Sequence, residues 1–275
     1  MKEKKANRLI SIVILTLFAF VSVSPLVLVL VNSFKTHVDI TRDPLSITFS
    51  AGIDNYIKAW HDGNFGTTLP NSILLTGSTV VIVLISAFLA AYVLAGKRVR
   101  GSSVVLSWLL ISMTIPVYLF LVPLYKFYAN MGWLGNQIAV SFILAACNLP
   151  VAVNLMRAYF LNIPKELEEA ARIDGCNTFH LLCRIYLPLL SPAIVTVGII
   201  VGLNSWNDFL ITSTFLLGET NFTAMLSLLA LNGMNTANHG TNMAATVIIV
   251  FPIIIFFIIM QKRFIDGIVN GAVKG

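Results

Sequence analysis

The chain has 275 residues, of which 57% are hydrophobic and 11% charged, where a soluble domain carries about 25% charged residues. So few polar side chains cannot cover a water-facing surface, which excludes a soluble globular protein of this size. The net charge of +6 is scattered between apolar runs and forms no basic patch interleaved with aromatics, so nucleic acid is excluded as a partner.

Six apolar runs follow one another: Leu9–Val31, Ser72–Ala95, Val104–Tyr125, Gln137–Phe160, Pro192–Leu217 and Met243–Met260. Each approaches the roughly 20 residues a helix needs to cross a bilayer core of about 30 Å. The first run follows Lys2, Lys4, Lys5 and Arg8 as a secretory signal would. Its apolar stretch is too long for one and no small-residue cleavage site follows, so it is expected to be a retained helix. The expected fold class is all-α integral membrane with six transmembrane helices.

Basic residues orient the spans. With the N-terminus inside, the inner segments hold Lys2, Lys4, Lys5, Arg8, Lys97, Arg98, Arg100, Arg157, Lys165, Arg172, Arg184, Lys262, Arg263 and Lys274; the outer ones hold Lys35, Arg42, Lys58 and Lys126. This bias places both termini in the cytoplasm. The first outer loop, near Lys35–Pro70, is long enough for a short amphipathic helix around Asn55–Trp60. The last, near Gly218–Asn242, is rich in Asn and Thr, and its Asn221-Phe222-Thr223 sequon is read as chance.

Within the runs, Pro25, Pro116, Pro123, Pro150 and Pro252 are candidate kinks, tolerated because neighbouring helices satisfy freed backbone groups. Gly198 and Gly202 form a GxxxG pattern that lets another helix approach closely, a dimer face being one use of it. Ala87, Ala91 and Ala95 give the second run a similar small-residue stripe.

Catalytic chemistry is missing from the pattern. Intramembrane charges are costly and mark function, yet the one clear candidate is Asp208, in Asn204-Ser205-Trp206-Asn207-Asp208. There is no H-E-x-x-H, G-x-S-x-G or Walker A sequence; Gly96-Lys97 is followed by Arg98, and position 91 is Ala91. Cys147, Cys176 and Cys183 show no CxxC spacing, and His37, His61, His180 and His239 are far apart in sequence. No metal or cofactor is expected on this chain; if ATP drives it, ATP and magnesium bind another subunit.

The segment Pro164–Pro188 reads as two short helices around a corner. Pro164 suits the first helical turn, and Glu166, Glu168 and Glu169 suit the positive helix start. Gly175 supplies a left-handed stop, Asn177 caps the next helix, and Pro188 ends it. The first helix, about 16 Å at 1.5 Å per residue, is too short to span a membrane. Leu167, Ala170, Ala171 and Asp174 share one small, mildly apolar face suited to a partner's groove. Lipid headgroups are the weaker reading of its target, because the helix carries a net negative charge where surface helices carry Lys and Arg.

Glu169-Ala170-Ala171, Gly175, Ile185 and Leu187-Pro188 resemble the EAA signature of ABC-importer permeases. Asn204–Phe209 and the tail Gly267–Gly275 resemble the carbohydrate branch, similar to the maltose permease. The resemblance covers nearly the whole chain. It implies one type I importer transmembrane domain over residues 1–275, with an EAA coupling loop at 161–190 whose residues Leu167, Glu169, Ala170, Ala171, Asp174 and Gly175 dock an ATPase. It implies as partners a second, different permease subunit, two ATP-binding subunits and an extracytoplasmic solute-binding protein, all serving a carbohydrate across a prokaryotic inner membrane. Glycerol phosphate or another polar solute is the alternative substrate, and a membrane enzyme or passive channel the alternative class. Asn204, Trp206, Asn207 and Asp208 are the expected substrate-pathway residues. Two features depart from the family pattern: a short N-terminus without extra helices, and Cys176 and Cys183, which have no assigned role.

Overall fold

The computed structural model describes residues 2–96, 99–234 and 238–272, with side chains described for 10–96, 99–233 and 238–261. Lys97, Arg98, Lys274 and the last residues of the tail motif lie outside the described residues, as do the side chains of Lys2, Lys4, Lys5, Arg8, Lys262 and Arg263.

Among the described residues every regular element is helical. The first run is α1, Lys2–Asn32, and the second α4, Phe65–Ala95. The fourth is α7, Gln137–Leu161, and the sixth begins α14, His239–Ala272. All four are long and apolar enough to cross a membrane. Between α1 and α4 lie α2, His37–Arg42, and α3, Asp54–Asp62, the latter where a short helix was expected.

The third and fifth runs are not single helices. The third divides into α5, Ser102–Ser112, and α6, Tyr118–Met131; Pro116 lies in the break, where its ring disfavours helical geometry for the preceding residue. The remaining four marked prolines sit inside helices, in α1, α6, α7 and α14. The fifth run begins as α11, Ser191–Trp206, stops, and resumes as α12, Leu210–Phe215. α11 is bent by 76° from the segment Thr178–Leu189 before it. A further apolar helix, α13, spans Ala224–Met234.

The chain forms two compact units, Met1–Thr67 with Ser227–Pro252, and Thr68–Leu226 with Ile253–Gly275. In the first, α1 is exposed along its apolar length, and the loop after it is tied by side chains. Lys35 is fully buried, and its Nζ donates to Asp43 O, Pro44 O and Ser46 Oγ at 3.2–3.3 Å. Three donors meet three acceptors, so the buried ammonium is satisfied without a carboxylate. Asn55 Nδ2 donates to Ser33 O and Lys35 O, both at 2.8 Å.

In the second unit one apolar core joins α4, α7, α11 and the segment after α7. The GxxxG glycines face side chains of α4: a Cβ on Gly198 would stand 3.7 Å from Leu84, and one on Gly202 3.7 Å from Val80, both ordinary van der Waals distances. Ala87 and Ala91 are fully buried in the same core.

Candidate functional site: the 161–190 loop

The loop begins with α8, Lys165–Ile173. Pro164 stands one place earlier than expected, at the N-cap, with ψ of 136°; an extended proline there starts the helix without giving up a bonded N–H. The far end closes as expected. Gly175 has φ +80°, Gly175 N–H donates to Arg172 O at 3.1 Å and Cys176 N–H to Ala171 O at 2.9 Å. These two bonds are a Schellman stop, which needs a left-handed residue at Gly175. They give Cys176 a role: its backbone completes the motif, and its half-buried side chain packs on the core. Cys183 is exposed.

Asn177 accepts from His180 N–H at 2.9 Å and starts α9, Thr178–His180. Pro188 does not end this helix. The chain widens to a π-helix over Leu181–Tyr186 and continues through α10, Leu187–Leu189. The last π-type bond, Leu187 N–H to Leu182 O, falls just before Pro188. The wide turn carries the upstream carbonyl clear of the proline ring, which a regular α-turn would bring into collision.

The two motif alanines divide. Ala171 is 6% exposed and faces the chain's own core, so it is not on the outer face as expected; adjacent helical residues point about 100° apart, and only one can face outward. The outward surface holds Leu167, Ala170 and Asp174 as expected, together with Glu169 and with Ile173 at 86% exposed. Sequence reasoning missed Ile173, although it sits three residues after Ala170 and continues that face.

Ala171 is the one buried residue of α8. Beneath it, Phe88 and Tyr92 of α4, Phe160 of α7 and Tyr186 of the π-helix form an aromatic platform with successive ring centroids 5.2–6.1 Å apart. Both tyrosine hydroxyls reach the helix: Tyr186 Oη donates to Glu168 Oε2 at 2.7 Å, and Arg172 Nη2 donates to Tyr92 Oη at 3.3 Å. Arg172 also pairs with Glu168 Oε1 at 3.0 Å. A cleft of about 320 Å³ opens beside them, lined in part by Lys165, Glu168, Glu169 and Tyr186.

The expected pathway residues do not form one surface. Asn204 and Asn207 are exposed, whereas Trp206 is buried. Asp208 accepts from Thr212 N–H at 2.9 Å and caps the start of α12. Asn204 Nδ2 donates to Asn148 Oδ1 at 3.0 Å, joining α11 to α7. Asn148 escaped the sequence reading because a lone Asn in an apolar run gives no pattern. The rings of His37 and His239 lie 4.9 Å apart despite their sequence distance. Among the described residues no group of three or more His, Cys, Asp or Glu is placed to hold a metal ion.

Membrane-length helices carrying a short, charged helix on an aromatic platform define a multi-pass membrane protein. The chain belongs to the binding-protein-dependent transport system inner membrane component family, matched over residues 82–269; it is a transport permease subunit. It is 34% identical to the probable ABC transporter permease protein YurM of Bacillus subtilis, over 96% of this chain and 87% of that one. It is 33% identical to the arabinooligosaccharides transport system permease protein AraQ of Halalkalibacterium halodurans, over 94% of this chain and 93% of that one. A chain of a bacterial ABC transporter that imports the acidic polysaccharide alginate aligns with a TM-score of 0.80 at 25% identity, covering 96% of this chain and 98% of that one.

Proposed function

We propose that residues 1–275 act as one transmembrane domain of an ATP-driven, binding-protein-dependent carbohydrate importer, with both termini in the cytoplasm of a bacterium or archaeon. A second, different permease pairs with it, two ATPase subunits dock on the 161–190 loop, and an extracytoplasmic binding protein delivers the sugar. The observation that carries this reading is α8. It is too short to span, acidic, and turned outward through Leu167, Glu169, Ala170, Ile173 and Asp174. The carbohydrate class is supported by the arabinooligosaccharide permease relative and the alginate importer.

Asn204 and Asn207 are the pathway residues on this reading, since exposed amides bind sugar hydroxyls. Trp206 packs behind them, and Asp208 holds the turn. Reconstitution with the ATPase and binding protein tests the whole: a cognate oligosaccharide stimulates ATP hydrolysis and accumulates in vesicles. Stimulation by glycerol phosphate alone overturns the carbohydrate assignment. In a chain with Cys147, Cys176 and Cys183 replaced by Ser, Asn204→Cys and Asn207→Cys react with a water-soluble thiol reagent and the sugar protects them. Absence of labelling in every transport state ends the pathway role.

A further inference from the structure

Glu168 and Arg172 stand on the inner side of α8, one turn apart, and neither belongs to its outward face. Glu168 is 16% exposed at its side chain and Arg172 46%. An ion pair so open to water is worth at most about 1 kcal/mol, so it adds little to the stability of the fold. Its geometry is more specific than its energy. Each member holds a tyrosine hydroxyl, and the two tyrosines belong to different elements: Tyr92 near the end of α4, Tyr186 at the end of the π-helix that leads into α11. Both tyrosines are 6% exposed, and their rings are 5.6 Å apart.

We propose that Glu168 and Arg172 are positioning residues that fasten the docking helix to the bundle, with Tyr92 and Tyr186 as their anchors, so that displacement of α8 moves α4 and the π-helical leg together. The proposal rests on the reading of α8 as the ATPase-docking element and deepens it. Three features favour a relay over a simple surface contact. Ala171 is the one fully buried residue of α8, so the polar contacts of Glu168 and Arg172 are a substantial part of what joins the helix to the bundle. The cleft beside it leaves that flank unpacked. The π-helix sets Tyr186 toward Glu168, and π-turns are rare, costly and concentrated at functional sites. A wide turn followed by the 76° bend into α11 is a place where a pull at Tyr186 can change an angle instead of sliding a rigid rod.

The test uses the complete transporter in vesicles. Tyr92→Phe and Tyr186→Phe each remove one hydroxyl and keep the ring, so the platform stays packed. The double variant is expected to retain its ATPase subunits on purification while the ATP consumed per sugar imported rises roughly tenfold, the effect of losing hydrogen bonds to charged groups. Glu168→Gln combined with Tyr186→Phe should do no more than the stronger of the two alone, because both cut the same link. An unchanged ATP-to-sugar ratio in the double tyrosine variant overturns the relay. Loss of the ATPase subunits in both single variants also overturns it, since the hydroxyls would then serve assembly. Gly175→Val, measured in parallel, separates the two levels. If it transports normally, the docking reading itself has failed; if it abolishes transport while the tyrosine variants do not, the relay alone has failed.

Discussion

Two polar segments of this chain solve the problem of charge beside apolar surface in opposite ways. The segment from Ser33 to Asn64 closes on itself. Lys35 is buried and spends all three donors on its own loop, and Asn55 ties α3 back to Ser33 and Lys35. The 161–190 loop instead exposes most of its charges, and its helix α8 meets the bundle at two tyrosine hydroxyls, one held by each member of an ion pair within the helix. The first satisfies its polar groups within itself, whereas the second presents exposed charge around a short helix that meets the bundle on one side.

Two glycines, Gly175 within the second segment and Gly240 of α14 against the first, mark the same contrast. Gly175 has open space around it, nothing lying within 4 Å of an added Cβ, and is needed for its φ of +80°. Gly240 has no unusual φ, but an added Cβ would stand 2.5 Å from both Asn55 Nδ2 and Lys35 O, inside the bond that ties the loop. One position requires a conformation and the other requires room.

The largest expected effect follows from Gly175. Gly175→Val places a β-branched residue in the left-handed region at about 1–2 kcal/mol, little for the fold but enough to misdirect α8. Uptake in reconstituted vesicles should be abolished while membrane abundance stays near normal. Gly175→Asn, which tolerates that region, should transport. If Val and Asn behave alike, conformation is not what the position demands.

Next is Gly240→Ala, which must displace the Asn55 amide or the Lys35 carbonyl and should cost about 1–3 kcal/mol as an overpacked site. Faster proteolysis within residues 33–64 and a lower Tm would show it. A variant with unaltered Tm would mean the loop adapts, and the contrast between the two segments would weaken.

The smallest effect concerns Asp39. Hydrogen bonds from Ser50 and Thr36 hold its carboxyl below the ordinary carboxylate range. A depressed folded-state value means the carboxylate contributes stability above roughly pH 4, and that contribution is lost as pH falls through the depressed value. Amide exchange at Thr36 and Asp39 should therefore accelerate only in strong acid. Acceleration already near pH 6 would assign the loop's order to another group.

The corner of the 161–190 loop was legible in its sequence because it is local, whereas the stop expected at Pro188 was replaced by a π-turn. Gly175 and Asn177 act on backbone groups within a few residues, and no distant part of the chain can reassign them. The Glu168–Arg172 spacing was equally plain, but its purpose was not. Tyr92 lies 80 residues from Arg172, and only packing brings their side chains together.

By itself the sequence determined that this chain lives in a bilayer, where its apolar runs lie and where the 161–190 loop turns, because composition, span length and backbone conformation are set residue by residue. Tertiary structure decided which alanine of the EAA pair faces outward, that Asn204 of α11 meets Asn148 of α7, that Trp206 is buried while Asn204 is exposed, and that α8 bonds two tyrosines. Each of these depends on which surface meets which. Apolar runs of similar composition offer many nearly equivalent pairings, and only the packed bundle, with its buried contacts and satisfied hydrogen bonds, selects one.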